Sequence, residues 1–259
     1  MTATQVKVKI ISNRKIKNNC WRLELDSGAI ARSASPGQFL EIKVCDEGLP
    51  LLRRPISIHG VNGSRVQLIY EVVGSGTRVL SGRRKGEFLD IIGPLGKGFE
   101  YGRKPVGKSV LVAGGMGVAP LLFLARRLKP AKPLVLIGAG SKEQLLCLQE
   151  FKAFGCRMAI ATDDGSAGFK GKVTEMLDRL LREMPDAGRP GNIYACGPQP
   201  MLKAVAKICR GHNISSQLSL ERHMACGFGA CLGCVVSTKS GYKRVCKEGP
   251  VFKGEELVW

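Results

Sequence analysis

The segment whose reading decides the fold runs Val110-Leu111-Val112-Ala113, then Gly114-Gly115-Met116-Gly117-Val118-Ala119-Pro120, then Leu121-Leu122-Phe123-Leu124-Ala125-Arg126-Arg127-Leu128. Four apolar residues bounded by a glycine cluster read as a buried strand. The apolar residues after the glycines recur at helical spacing. A strand, a glycine turn and a helix start aim backbone N–H groups at one spot, an anion cradle suited to a dinucleotide. The spacing is G-x-G-x-x-P over Gly115, Gly117 and Pro120, not G-x-G-x-x-G. Pro120 costs little there, because first-turn N–H groups lack helical acceptors.

Toward the C-terminus the alternation continues. Strand Leu134–Ile137 precedes a helix expected over Lys142–Phe151. Strand Arg157–Ala161 precedes helix Lys172–Met184, and strand Asn192–Ala195 precedes helix Pro200–Gly211. Alternating strands and helices predict a parallel sheet covered on both faces. Between the last strand and helix stand Cys196-Gly197-Pro198, in a strand-end loop where such sheets bind ligands.

Toward the N-terminus the pattern changes. Short alternating or β-branched runs appear at Val6–Ile11, Phe39–Val44, Ile56–Val61, Val66–Val73 and Phe88–Ile92, separated by Gly, Pro, Asn and Ser. No long helical period interrupts them, so a small antiparallel barrel is expected. Within it, Arg53-Arg54-Pro55-Ile56-Ser57-Ile58 places an arginine and a hydroxyl three residues apart on a stretch held extended by Pro55. Gly74-Ser75-Gly76-Thr77 then opens a helical run and offers N–H groups to a pyrophosphate. Residues 102–109, GRKPVGKS, match the phosphate-loop pattern G-x4-G-K-[ST]. Here, however, Ser109 opens a strand and Pro105 removes a loop donor, so nucleotide-triphosphate hydrolysis is rejected and a linker is expected.

Beyond residue 216 lies CGFGACLGCVVSTKSGYKRVC, Cys226 to Cys246. Cys226, Cys231 and Cys234 stand at C-x4-C-x2-C, and Cys246 follows after eleven residues. Four thiolates at that spacing suit a [2Fe–2S] cluster, in which each iron takes two sulfurs from the chain. Gly227, Gly229 and Gly233 supply the conformational freedom a tight wrapping loop needs. Zinc is the rival, but zinc favours two short C-x2-4-C knuckles, and the second half holds Cys246 alone. Three blocks follow: a barrel over 1–101, an α/β nucleotide-binding domain over 102–215 and a cysteine module over 216–259, too small for its own core.

Lys and Arg number 40 against 21 Asp and Glu, giving a net charge of +19. The basic residues are spread along the chain without aromatic interleaving, which argues against nucleic-acid binding and for anionic cofactors and an acidic partner. The opening stretch lacks the apolar core of a secretion signal, and no apolar run reaches a membrane span. A cytoplasmic protein is expected, in which ten cysteines serve as ligands or buried thiols, not disulfides.

RRPISI, GGMGVAP, CGPQPM and the cysteine module, in that order, resemble the ferredoxin–NADP reductase superfamily. The cysteine module and the tail YKRVCKEGPVF resemble, within it, the electron-transfer subunits of NAD-dependent, B-type dihydroorotate dehydrogenases. The resemblance implies an FAD-binding barrel, an NAD-binding domain and a [2Fe–2S] module. It implies that Arg54, Pro55, Ile56 and Ser57 hold the flavin and its phosphates, that Ile69, Tyr70 and Glu71 line its site, and that Gly76 and Thr77 bind the FAD pyrophosphate. Gly115, Gly117 and Pro120 would face the NAD pyrophosphate and Cys196, Gly197 and Pro198 the nicotinamide. Cys226, Cys231, Cys234 and Cys246 would hold the cluster. Many superfamily members carry a flavin-stacking aromatic where this chain has Ile56, leaving Tyr70 as the candidate stacking ring. The implied partner is an FMN-containing dihydroorotate dehydrogenase catalytic subunit, in a heterotetramer of two subunits of each kind. Electrons would pass from its FMN through the cluster and FAD to NAD⁺, in pyrimidine biosynthesis. NAD over NADP is taken from the resemblance; Lys142 alone could meet a 2′-phosphate. No residue reads as a substrate acid or base, since His59, His212 and His223 are scattered. Two rivals stand beside this reading. One is a flavin/iron–sulfur subunit of a cytosolic hydrogenase or of a bifurcating ferredoxin:NADP oxidoreductase. The other is a zinc-stabilised nucleic-acid-binding module.

Overall fold

The structure is a computed structural model that describes residues 3–45, 48–102, 108–185 and 188–259. Six antiparallel strands close the N-terminal barrel: β1 (Thr4–Lys17), β2 (Cys20–Asp26), β3 (Phe39–Lys43), β4 (Arg54–Asn62), β5 (Arg65–Glu71) and β6 (Phe88–Leu95), in the order β1-β2-β5-β4-β3-β6. Closure leaves no free sheet edge. Strand β2 went unrecognised in the sequence, though Cys20-Trp21-Arg22-Leu23-Glu24-Leu25 buries Leu23 and Leu25 in alternation. Ile10, Leu40, Ile42, Ile58, Leu68 and Ile91 fill the interior. The short helix α1 (Gly28–Ser33) lies between β2 and β3, and α2 (Ser75–Gly82) follows β5.

The second sheet has seven strands. They are β7 (Ser109–Gly114), β8 (Leu134–Ala139), β9 (Arg157–Thr162), β10 (Phe169–Lys170), β11 (Asn192–Cys196), β12 (Ser215–Ser219) and, from the far end of the chain, β15 (Val251–Lys253). Their order is β10-β9-β8-β7-β11-β12-β15, parallel except for β15. Helices α3 (Val118–Arg127) and α4 (Leu148–Ala153) cover one face; α5 (Val173–Glu183) and α6 (Gln199–Gly211) cover the other. Alternate residues of β7 divide accordingly, Leu111 and Ala113 toward α3, Val110 and Val112 toward α5 and α6. The chain leaves β7 in one direction through β8 and β9 and returns on its other side at β11. The carboxyl ends of β7 and β11 therefore flank a topological switch point, the usual binding crevice of such sheets.

The helix expected over Lys142–Phe151 is broken. A 3₁₀ turn at Lys142–Gln144 is followed by α4, with Cys147 between them at φ 61°. The barrel supplies the reason. Lys17 Nζ donates to the carbonyls of Lys142 (3.3 Å) and Leu145 (3.1 Å), and Asn18 donates to that of Glu143 (2.9 Å). Carbonyls bound across the domain boundary are not free for a continuous helix. Of the phosphate-loop lookalike, residues 103–107 lie outside the described residues; Ser109 opens β7 as expected.

The cysteine module contributes the hairpin β13 (Val235–Thr238) and β14 (Gly241–Arg244), then β15. Val236, Val245, Phe252 and Leu257 join the core beneath α5 and α6, with Cys234 and Cys246. Lys97 N–H donates to the Gly249 carbonyl (2.5 Å), tying the module to the barrel as well. A segment with too few apolar residues for its own core thus borrows two.

Candidate functional site

Arg54 opens β4 and Gly76 lies in the first turn of α2. A Cβ on Gly76 would overlap the Arg54 guanidinium, so the arginine lies directly on the helix start. The first helical bond of α2 is Arg78 N–H to the Gly74 carbonyl, and the preceding N–H groups of the first turn have no helical acceptor. A guanidinium over the positive end of a helix is a repulsive pair unless an anion lies between them. Among the described residues the Arg54 side chain is otherwise bonded only to the nearby carbonyls of Leu52 (2.6 Å) and Arg53 (3.1 Å). Thr77 turns its hydroxyl back on the chain, accepting from Val73 N–H (3.0 Å) and Gly74 N–H (3.3 Å), so only its backbone is free for a ligand. These residues fit a pyrophosphate-bearing flavin.

Strand alternation sorts the remaining flavin candidates. Pro55 and Ser57 are half-buried on the outer face of β4, while Ile56 points into the barrel. Tyr70 also points inward, 2% exposed, its hydroxyl donating to Asn13 Oδ1 (3.0 Å). Its ring is enclosed by barrel core and offers no face for a flavin to stack on; burial raises its pKa. Ile69 is buried toward the α/β domain, and Glu71 is exposed.

At the switch point the two glycine loops meet. A Cβ on Gly117 would overlap the Cys196 carbonyl, and one on Gly197 would stand 3.1 Å from Gly114 Cα. Gly115, at φ 53°, is exposed at the mouth; Pro120 is buried in the first turn of α3. Burial pushes the Cys196 thiol up to about 12, leaving it neutral. Backbone, not charged side chains, forms this cradle.

In the cysteine module the sulfurs associate two by two. The N–H groups of Ala230 (3.3 Å) and Cys231 (3.5 Å) point at Cys226 Sγ, and Cys246 N–H points at Cys234 Sγ (3.4 Å). Burial opposes ionisation of Cys226, but the N–H donors of Cys231, Phe228 and Ala230 outweigh it and hold the thiol down to about 6. Cys246 is pushed up to about 12 by burial and then by the sulfurs of Cys234 and Cys226. The opposition of neighbouring sulfurs to ionisation of Cys246 is the condition a bound cation relieves. Among the described residues no three His, Cys, Asp or Glu side chains stand as a ready metal-binding group. The donor set of two thiol pairs nevertheless fits two irons taking two sulfurs each. Gly227 (φ 76°), Gly229 (φ 92°) and Leu232 (φ 58°) bend the loop through left-handed backbone. Arg244 braces it, donating to the Gly229 carbonyl (2.8 Å) while paired with Glu248.

One residue was missed in the sequence. Glu41 on β3 is fully buried, and neither carboxyl oxygen has a hydrogen-bond partner among the described residues. Burial raises its pKa to about 7, with Arg53 and Arg54 opposing and Cys226 adding to the rise. It stands where strand alternation predicts exposure, and the turn at Gly227 in the cysteine module lies against its side chain.

Three sets of similarities bear on this geometry. Residues 221–258 match the iron–sulfur cluster binding domain of dihydroorotate dehydrogenase B, and residues 111–207 match the oxidoreductase NAD-binding domain. The dihydroorotate dehydrogenase B (NAD⁺) electron-transfer subunit of Desulforamulus reducens is 39% identical over 259 residues, covering 97% of each chain. The chain belongs to this family of electron-transfer subunits. The Bacillus velezensis member is 41% identical over 255 residues, 95% of this chain and 96% of that one. Among solved structures, an NADH-dependent reduced ferredoxin–NADP oxidoreductase described for flavin-based electron bifurcation superposes with a TM-score of 0.86 at 32% identity. It covers 97% of this chain and 90% of that one. A Neisseria gonorrhoeae ferredoxin–NADP⁺ reductase with bound FAD and NADP superposes at 0.67 and 16% identity, covering 80% and 91%, and so shares the fold. Membership in the dihydroorotate dehydrogenase B family makes this chain an NAD-dependent oxidoreductase subunit that works with FAD, a [2Fe–2S] cluster and NAD beside a catalytic subunit. The iron–sulfur reading of the cysteines, not the zinc reading, is the one the matched domain carries.

Proposed function

We propose that this chain passes electrons from the FMN of a dihydroorotate-oxidising partner to NAD⁺, with Cys226, Cys231, Cys234 and Cys246 holding the cluster. Arg54, Pro55, Ser57 and the first turn of α2 hold FAD, and the Gly115–Pro120 and Cys196–Pro198 loops receive NAD. When bound, a flavin exchanges electron pairs as hydride with NAD and single electrons with an iron–sulfur centre. The chain's own residues hold the three groups in order.

The observation that carries this reading is the packing of the cluster loop on the flavin strands. A Cβ on Gly227, next to Cys226, would overlap Glu41, which pairs across the sheet with Pro55 of the flavin motif. In the same loop Cys231 is exposed, with Phe228 (52% exposed) and Leu232 (59% exposed) before and after it in the chain. An apolar rim around one exposed ligand suits a protein partner that brings its own redox group close. The partner is the FMN-containing catalytic subunit, two copies of each chain assembling, and the setting is the cytoplasm. No helix among the described residues is long and apolar enough to cross a membrane.

Anaerobic titration of the isolated chain with NADH and with NADPH tests the reading, with flavin and cluster bleaching followed separately. Bleaching of both by NADH is expected. Protein without flavin colour or iron after reconstitution would overturn it. Co-purification separates the partners: a dihydroorotate-oxidising FMN protein supports the assignment, and a nickel-bearing one sinks it.

A further inference from the structure

The outer face of β3 carries Phe39 and Glu41, which alternate with the inward-facing Leu40 and Ile42. Phe39 stands opposite Ser57 and Glu41 opposite Pro55, so these two residues share one surface with the outward half of the flavin motif. The cysteine module covers that surface. Gly227 is glycine where any side chain would run into the Glu41 carboxylate group. Glu41 is fully buried, and both of its oxygens lack partners among the described residues. The neighbouring Arg53 does not bond it: its guanidinium is paired with Asp90 (3.0 Å) and donates to the Asp90 carbonyl (2.9 Å).

A buried carboxyl without hydrogen bonds is costly, and a neutral or apolar side chain of similar size would be cheaper. Glu41 is therefore not explained by stability. Its position, between the flavin motif and the turn that carries Cys226, offers another explanation. The potential of an iron–sulfur cluster depends on nearby charge, on hydrogen bonds to its sulfurs and on solvent exposure. A carboxyl group sealed from water interacts with its neighbours far more strongly than an exposed one.

We infer that Glu41 is a positioning residue of the electron path, which lowers the potential of the cluster by placing a buried carboxyl group behind the Cys226–Gly227 turn. In its ionised form that carboxyl opposes the arrival of an electron on the cluster and so favours onward transfer to the flavin side. The inference rests on the four cysteines holding a [2Fe–2S] cluster.

The test is an EPR-monitored redox titration of the intact, reconstituted protein, wild type against Glu41→Gln and Glu41→Leu. Iron content and the wild-type signal come first, so that a missing cluster fails the proposed function and not this assignment. In both variants the one-electron equilibrium of the cluster is expected to shift about tenfold toward reduction, an increase of about 59 mV. Melting temperature should hold or rise, because an unpartnered buried carboxyl has been removed. The flavin potential should move less than that of the cluster. An unmoved cluster potential in Glu41→Gln overturns the assignment. Loss of iron from both variants also overturns it, because Glu41 would then serve the folding of the loop.

Discussion

The chain builds two glycine cradles, and they work differently. At the start of α2, Gly76 makes room for a side chain, and the Arg54 guanidinium occupies that room. At the start of α3, Gly117 makes room for backbone, the carbonyl of Cys196. The first cradle adds a full positive charge to the N–H groups of a helix end; the second offers a close-packed junction of two loops without an arginine laid on it. An anion held by a charged fork stays bound, because charge-assisted hydrogen bonds are about twice as strong as neutral ones. An anion held by backbone alone is easier to release. The contrast fits the proposal that a flavin is held at the first cradle and a nicotinamide received at the second.

Gly117→Ala strikes the second cradle hardest. A methyl group there meets a carbonyl that can move only with β11, so a loss of about 3 kcal/mol is expected. Calorimetry should show a melting point roughly 6–12 °C lower, and NADH should no longer bleach the flavin. Arg54→Ala attacks the first cradle through its charge. About 2–3 kcal/mol of FAD affinity should go, a drop of roughly 30- to 150-fold in flavin retention by ultrafiltration, while the melting point of the flavin-free protein stays put.

A third experiment loosens the contact between the two cradle-bearing domains. His59 lies on β4, 5% exposed, against Ala119 of α3, and burial first, then Arg22, lowers its pKa from 6.5 to about 4. The folded state resists protonation that the unfolded chain accepts, so its contribution is complete above pH 6.5 and falls away as the pH drops toward 4. At pH 5 the loss relative to pH 8 is about 2 kcal/mol. Urea midpoints at the two values should show that slope in the wild type and a flatter one in His59→Gln. The smallest effect belongs to Gly76→Ala. Its methyl group displaces the end of a flexible arginine, so stability should barely change. FAD affinity should weaken about tenfold, near 1.4 kcal/mol, and less than in Arg54→Ala. Equal losses of stability in Gly76→Ala and Gly117→Ala would erase the distinction between the two cradles.

Much of this architecture was legible in the residues. The run Val110–Pro120 announced strand, turn and helix, because a four-residue apolar strand and a glycine turn have few other uses. The helix over Lys142–Phe151 was misread because Lys17 and Asn18, over a hundred residues away, bind its carbonyls. Tyr70 was the candidate flavin-stacking ring because the resemblance puts it at the flavin site and Ile56 stands where many relatives carry an aromatic. Its phenol lies inside the barrel on Asn13, a matter of which face of β5 it occupies.

The sequence by itself determined the spacing of the four cysteines, the two glycine turns and the order of barrel, α/β sheet and cluster loop. Those are local facts, written in residue type and separation. Only the tertiary structure decided that Arg54 lies on Gly76, that Gly117 meets Cys196 and that Glu41 is sealed under Gly227. Each of those pairs joins residues far apart in the chain, and strand register and the docking of one domain on another, not local preference, bring them into contact.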